Sequence, residues 1–142
     1  MAYTGLTKST FAELFTTLIT GKTFKIAFYT EELDASTSGV YDTTNEFVGA
    51  NYTAGGVAIA LAATPIVQNA DGVFIHFSNV TIANMTTGAT PIKGFAIYDV
   101  TDDGVNPISN KVVVSGRFKI PQASTNGTFS TSITYQMAGV NL

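Results

Sequence analysis

Ile92-Lys93-Gly94-Phe95-Ala96-Ile97-Tyr98-Asp99 is the stretch on which the fold turns. It is rich in β-branched and aromatic residues and is bounded by Thr90-Pro91 and by Asp102-Asp103-Gly104, which is how a strand reads. Large apolar groups fall on both of its faces, through Ile92, Phe95, Ile97 and Tyr98. A strand with no clean polar face is expected to be central in its sheet and covered on both sides. Gly94 interrupts the run, and a glycine inside a strand marks a bulge or a close backbone approach. None of these side chains is chemically reactive, which turns attention to surfaces rather than to an active site.

Downstream of this strand, Val105 to Ile108 is expected to be partly extended. Lys111 to Ile120 reads as a longer strand broken at Ser115-Gly116. Asn126-Gly127 marks a turn, and Thr128 to Gln136 reads as the final strand, carrying Phe129, Ile133 and Tyr135. Upstream, Val80-Thr81-Ile82 is a short strand, and Asp71-Gly72 signals a hairpin between Ile66-Val67 and Val73 to Phe77. Val57 to Thr64 is a strand of small and β-branched residues that Pro65 ends, or after which Pro65 begins the next. Asn45 to Gly49 is a short edge segment, and Tyr52 to Gly56 is a turn. Lys22 to Thr30 alternates, with Phe24, Ile26 and Phe28 on one face and Lys25, Ala27 and Tyr29 on the other.

Between Glu31 and Asn45 the chain is polar and acidic and includes Ser36-Thr37-Ser38-Gly39, so a long surface loop ordered by a partner is expected. One helix is signalled over about residues 10–20. Thr10 and Glu13 have capping-box spacing, Gly21 stands at the stop, and Phe11, Leu14, Phe15, Leu18 and Ile19 form an apolar stripe. That stripe is expected to pack on the sheet rather than on a neighbouring subunit, because so short a helix needs tertiary support. Short strands separated by turn signals, with one N-terminal helix, predict an all-β fold of β-sandwich or jelly-roll-like type. No repeat and no linker divides the chain, which reads as one domain over residues 1–142.

The composition agrees: 45% of residues are apolar and only 12% charged, with 13 glycines. A small isolated domain normally carries more surface charge, so much of this surface is expected to be covered by other subunits. The net charge of −3, with seven scattered basic residues, argues against nucleic acid, which needs clustered Lys and Arg. With no cysteine there is no disulfide, thiolate metal site or cysteine nucleophile. No apolar run reaches membrane-spanning length, and Met1-Ala2-Tyr3-Thr4-Gly5 lacks signal-peptide blocks, so the chain is expected to be made and kept soluble in a cytoplasm until it assembles.

Candidate chemistry is sparse. His76 is the one histidine and, sharing a face with Phe74 and Ser78, reads as an ordinary strand residue without a paired nucleophile. Asp99, Thr101, Asp103 and Gly104 match positions one, three, five and six of a calcium loop, but Asn110 stands where the closing glutamate belongs. A solvated turn is expected there, with a simple oxygen-ligand site as its alternative. Gly55-Gly56 has no following Lys-Ser/Thr and reads as a turn. N-x-Thr triplets at Asn51, Asn79, Asn84 and Asn126 are expected by chance in a threonine-rich chain and imply no glycan. No catalytic, cofactor-binding or metal-ligating residue is expected, and the chain reads as a non-enzyme.

The order of elements resembles a family of small virion structural proteins of tailed bacteriophages. The parts that carry the resemblance are the helix Thr10–Thr20, the strand Lys22–Thr30 running into an acidic loop, and the Asn-Glu segment Asn45–Gly49. They continue with the Tyr-x-x-Gly-Gly turn Tyr52–Gly56, the central strand Gly94–Asp99 and the Asn-Gly-Thr-Phe strand Asn126–Phe129. Members of that family are described as capsid decoration (cement) proteins or as neck and tail-fibre components. The resemblance implies residence in the virion, no catalytic residues to carry over, and partners that are other copies of the chain and the major capsid protein or other virion proteins. A symmetric homo-oligomer is expected, with a trimer suited to threefold lattice positions. The acidic loop and the segment before Thr10 are expected to supply contacts. The rival from a different class is a carbohydrate-binding β-sandwich module, which with no Trp in the chain would have to stack sugars on Tyr.

Overall fold

In a computed structural model of the chain, residues 7–34, 39–70, 72–87, 90–124 and 127–131 are described, together with the backbone of 134–138. The expectations placed on Ser36-Thr37-Ser38, Asp71, Asn126, Ile133, the side chain of Tyr135 and the segment before Thr7 lie outside the described residues. The fold is all-β and sandwich-like, with one short N-terminal helix. Its contacts gather into two compact units, Met1–Lys22 with Ala60–Ser78 and Ser132–Leu142, and Thr23–Ile59 with Asn79–Thr131.

The second unit is built around the strand that decides the fold. β6 (Ile92–Asp99) lies between β1 (Phe24–Tyr29) and β7 (Val112–Gln122), and β2 (Val57–Ile59) closes the other edge, giving an antiparallel sheet of order β2-β1-β6-β7. The register sets Ile26 opposite Ile97 and Phe28 opposite Phe95. These large residues therefore share one face. On that face Phe28 meets Phe129 edge-on at 5.0 Å, bringing the ribbon of β5 (Val80–Met85) and β8 (Gly127–Thr131) against the sheet. Phe24, Ile26, Phe28, Met85, Ile92 and Ile97 are essentially without solvent contact, so this is where the hydrophobic effect acts most strongly. The opposite face carries a second buried cluster, Ala27, Tyr29, Ala96 and Tyr98, covered by Leu33, Tyr41, Val100 and Val112. Burial on both faces explains why neither β1 nor β6 has a polar side.

Gly94 shows both features expected of it. The pairing of β6 with β7 shifts register between Ile92 and Gly94, and a Cβ at Gly94 would run into the Glu31 carbonyl and the Leu33 amide. The chain after β1 crosses the sheet directly over this glycine. Glu32 then pairs with Arg117 at 3.1 Å and the Asp34 carbonyl accepts from the Ser115 hydroxyl at 2.7 Å.

In the first unit, α1 (Lys8–Ile19) packs on β3 (Leu61–Asn69) and β4 (Gly72–Phe77), and β9 (Thr134–Ala138) completes a sheet of order β3-β4-β9. The helix begins earlier than expected. Its N-cap is Thr7, whose side chain accepts from the Thr10 amide at 3.2 Å, so Thr10 is a first-turn residue and not the cap. Its stop is the expected one, with Gly21 left-handed at φ 70° just past the cap residue Thr20. Phe15 and Ile19 are buried, Phe11 and Leu18 half-buried, and Leu14 faces solvent, so the inward stripe is narrower than the spacing implied. Lys8 ties the helix start to the hairpin by donating to the Asn69 and Ala70 carbonyls at 3.1 and 2.9 Å.

Several strand limits differ from expectation. Pro65 sits inside β3, where the pairing with β4 is irregular between Leu61 and Ile66, so the missing N–H is tolerated at a bulge. Val57 to Thr64 is two strands, β2 and β3, parted at Ala60 and belonging to different units. β7 runs unbroken through Ser115-Gly116, because Gly116 leaves room for the Phe95 ring. Val105 to Ile108 forms no strand. The C-terminal strand is likewise two, β8 pairing with β5 and β9 with β4.

Candidate functional site

The most organised polar constellation of the second unit is centred on Glu46, a residue that the sequence offers only as part of an edge segment. Past the end of β1 the chain returns alongside it. The Thr30 amide donates to the Asn45 carbonyl at 2.9 Å and the Phe47 amide to the Phe28 carbonyl at 2.8 Å. This ladder fixes Glu46 with 7% of its surface exposed. Its carboxylate is held by three donors: the Tyr41 hydroxyl at 2.7 Å on Oε2, and the Tyr52 hydroxyl at 2.7 Å and Gly55 amide at 2.8 Å on Oε1. The Tyr52 oxygen also accepts the Phe28 amide at 3.0 Å, satisfying an edge N–H of β1. Tyr98 donates to the Gly55 carbonyl, and its ring stacks on Tyr41 with centroids 4.4 Å apart and planes 10° from parallel. Tyr29 donates to the Asp42 carbonyl at 2.9 Å.

The Gly55-Gly56 turn is part of this device rather than a phosphate loop. Gly56 is left-handed at φ 77°, and a Cβ there would meet the Ile26 carbonyl, so the turn lies directly on β1. That approach delivers the Gly55 amide to Glu46. Burial raises the pKa of Tyr29, Tyr41, Tyr52 and Tyr98 above the ordinary phenol value, and the Glu46 carboxylate raises each further. The ring of hydroxyls stays protonated, and protonated hydroxyls are what the carboxylate needs as donors.

Beside the network is an open cavity of about 220 Å³. Its apolar lining comes from Leu33, Val40, Ala96 and Val112, and Tyr29 and Tyr41 join it from the network, with Asp42, Thr44 and Asn45 also on the lining. In the first unit a wider groove of about 400 Å³ runs between the end of α1 and β3, lined by Ile19, Leu61, Pro65 and Ile66 among others.

The other sequence candidates are scattered. His76 is half-buried in β4 with its ring 6.0 Å from Phe74. The carboxylates of the 99–104 turn face their own chain. Asp99 accepts from the Thr101 amide and hydroxyl, Asp102 from the Gly104 amide, and Asp103 from the amides of Val105 and Asn106. The Asn106 amide first and the Val105 amide next hold the Asp103 carboxyl down to about 2. No group of three or more His, Asp or Glu residues placed to hold a metal is found among the described residues. Asn51 and Asn84 both have left-handed backbones, and the Asn51 side-chain Nδ2 donates to the Asn84 carbonyl at 2.8 Å. The 31–45 loop is pinned to its own chain in its described parts, through Glu32 to Arg117, Tyr41 to Asn110 and Gly39 to Val112.

Sequence reasoning missed Glu46 because an Asp or Glu in a polar stretch ordinarily reads as solvated. The available signal was the placement of Tyr29 on the same face as Ala27 and of Tyr52 just before paired glycines. No helix among the described residues is long and apolar enough to cross a membrane. No family model matches the chain, and neither a curated protein nor a solved structure matches it.

Proposed function

We propose that the chain is a non-enzymatic structural protein of a bacteriophage virion, of the capsid decoration type, binding the shell as a symmetric homo-oligomer. The observation that carries this reading is a set of large apolar side chains standing in solvent on a chain with little charge. Val48 is 89% exposed, Val105 86% and Ile120 69%, while charged residues are 12% of the sequence. Such side chains are candidate contact points, since apolar groups gathered into one patch mark contact surfaces, and closed symmetry buries one patch repeatedly without open growth. The Glu46 and Asp103 carboxylates are engaged in holding the fold, Glu46 through two tyrosine hydroxyls and the Gly55 amide, and Asp103 through the Val105 and Asn106 amides. The resemblance in element order to small virion proteins of tailed phages points the same way.

Within that class a decoration protein is preferred to a neck, tail or fibre-attachment protein, because threefold positions on a shell suit a trimer. The partners are then other copies of the chain and the major capsid protein. The test is a reconstruction of the particle with this protein localised. Density at regular sites on the shell supports the proposal, density confined to the neck or tail favours the alternative, and absence from purified particles overturns both.

A further inference from the structure

We propose that the cavity beside Glu46 is a binding site for a neutral pyranose ring. Several main-chain groups around the cavity already have partners. The Val112 amide donates to Gly39, the Tyr41 amide to Asn110, the Asn45 carbonyl accepts from Thr30 and the Asp42 carbonyl from the Tyr29 hydroxyl. A peptide read through its backbone finds these groups occupied, and strand addition depends on free main-chain groups.

The side chains are the reverse. Asp42 uses one carboxylate oxygen, Oδ1, for the Thr44 amide at 2.7 Å. Its other oxygen, the Asn45 amide group and the Thr44 hydroxyl carry no hydrogen bond to the described residues, and all three residues are exposed. Acceptor, amide and hydroxyl thus stand on three nearby residues of the cavity lining, and the Asn45 backbone is left-handed at φ 61°.

The remaining lining is apolar, through Leu33, Val40, Ala96 and Val112. A ligand with an apolar face and a rim of vicinal hydroxyls matches this division, and a pyranose has that form. Its C–H face can lie on the aliphatic wall and on Tyr41, since the face of an aromatic ring is its negative side. Tyr41 is stacked on Tyr98 and hydrogen-bonded to Glu46, so this ring is already ordered for a ligand to lie on. The sign of charge selects further. Among the described residues the lining holds Asp42 and no Lys, Arg or His, so anionic sugars are disfavoured. This site goes beyond the structural role proposed above and does not depend on it.

The experiment is a titration of the full-length protein with methyl pyranosides of glucose, galactose and mannose, and with glucuronate as the charged arm, followed by amide chemical shifts. The expected result is a saturable shift of amides at 40–45 with at least one neutral pyranoside, and weaker binding of glucuronate. Asp42→Asn keeps the oxygen that accepts the Thr44 amide, and Asn45→Asp keeps the left-handed preference. Each is expected to weaken that binding about tenfold or more with circular dichroism unchanged. Should Asn45→Asp fail to fold, Thr44→Ala serves in its place. Absence of saturable shifts with all neutral probes, shifts that map elsewhere, or binding indifferent to these substitutions overturns the proposal. So does a loss of self-association in the variants without any sugar binding, which would mean that a second copy fills the cavity.

Discussion

Glu46 illustrates how a single buried charge is made tolerable. A carboxylate taken out of water is costly unless its oxygens are hydrogen-bonded, and here three donors reach it. Its removal leaves the Tyr41 and Tyr52 hydroxyls and the Gly55 amide without their acceptor, and each buried orphan costs ~1–3 kcal/mol. Glu46→Ala is therefore expected to lower unfolding stability by more than Glu46→Gln, which retains one acceptor oxygen. Urea denaturation of both variants checks the order, and equal midpoints would reduce the network to ornament. The tyrosines add a pH dependence whose sign follows from their raised pKa values. Above about 10, the ordinary pKa of a phenol, the unfolded chain ionises these tyrosines while the folded protein keeps them protonated. The folded state then binds more protons, so stability is intact below that pH and falls as pH rises above it. Urea midpoints across the alkaline range should decline, and Tyr52→Phe should flatten the decline.

At the scale of elements, much was legible from short-range pattern. The limits of β6 and the alternation of β1 follow from apolar spacing, because a strand buried on both faces leaves no other reading of Phe24 to Tyr29. The close approach at Gly94 was likewise readable from a glycine amid bulky neighbours. What could not be read depends on partners distant in sequence. Pro65 is accommodated by a bulge opposite β4, and the C-terminal strand divides because β5 and β4 each recruit part of it. The Glu46 network joins Tyr29, Tyr41, Tyr52 and Tyr98 from four separate segments, and no spacing rule connects them. Two substitutions test the crossing over the sheet. Gly94→Ala places a methyl between backbone atoms of Glu31, Leu33 and Gly116 and is expected to cost ~1–3 kcal/mol. Gly39→Ala, which meets open space, is expected to stay within about 0.5 kcal/mol. A neutral Gly94→Ala in thermal or urea unfolding would mean that the crossing segment is free to lift. Truncation of the core on the same strand, Ile97→Ala, is expected to cost ~2–5 kcal/mol through lost burial and the cavity left behind.

At the scale of the molecule, the surface is where a function has to be sought. Val48, Val105 and Ile120 are largely exposed, and apolar groups gathered on a weakly charged surface favour association. A charge placed at the centre of an interface is strongly unfavourable, whereas on an open surface it changes stability by less than about 0.5 kcal/mol. Val48→Asp, Val105→Asp and Ile120→Asp therefore separate the two situations. In light scattering the unmodified protein is expected to run as a closed homo-oligomer, a trimer on the decoration reading. At least one of these substitutions is expected to shift it toward monomer with its denaturation midpoint unchanged. The same variant is expected to bind poorly to particles stripped of this protein, because a decoration protein that engages threefold sites gains affinity from simultaneous contacts. A strict monomer at high concentration, indifferent to all three substitutions and to the particles, would end the assembly reading and leave the cavity beside Glu46 as the surface on which function has to be sought.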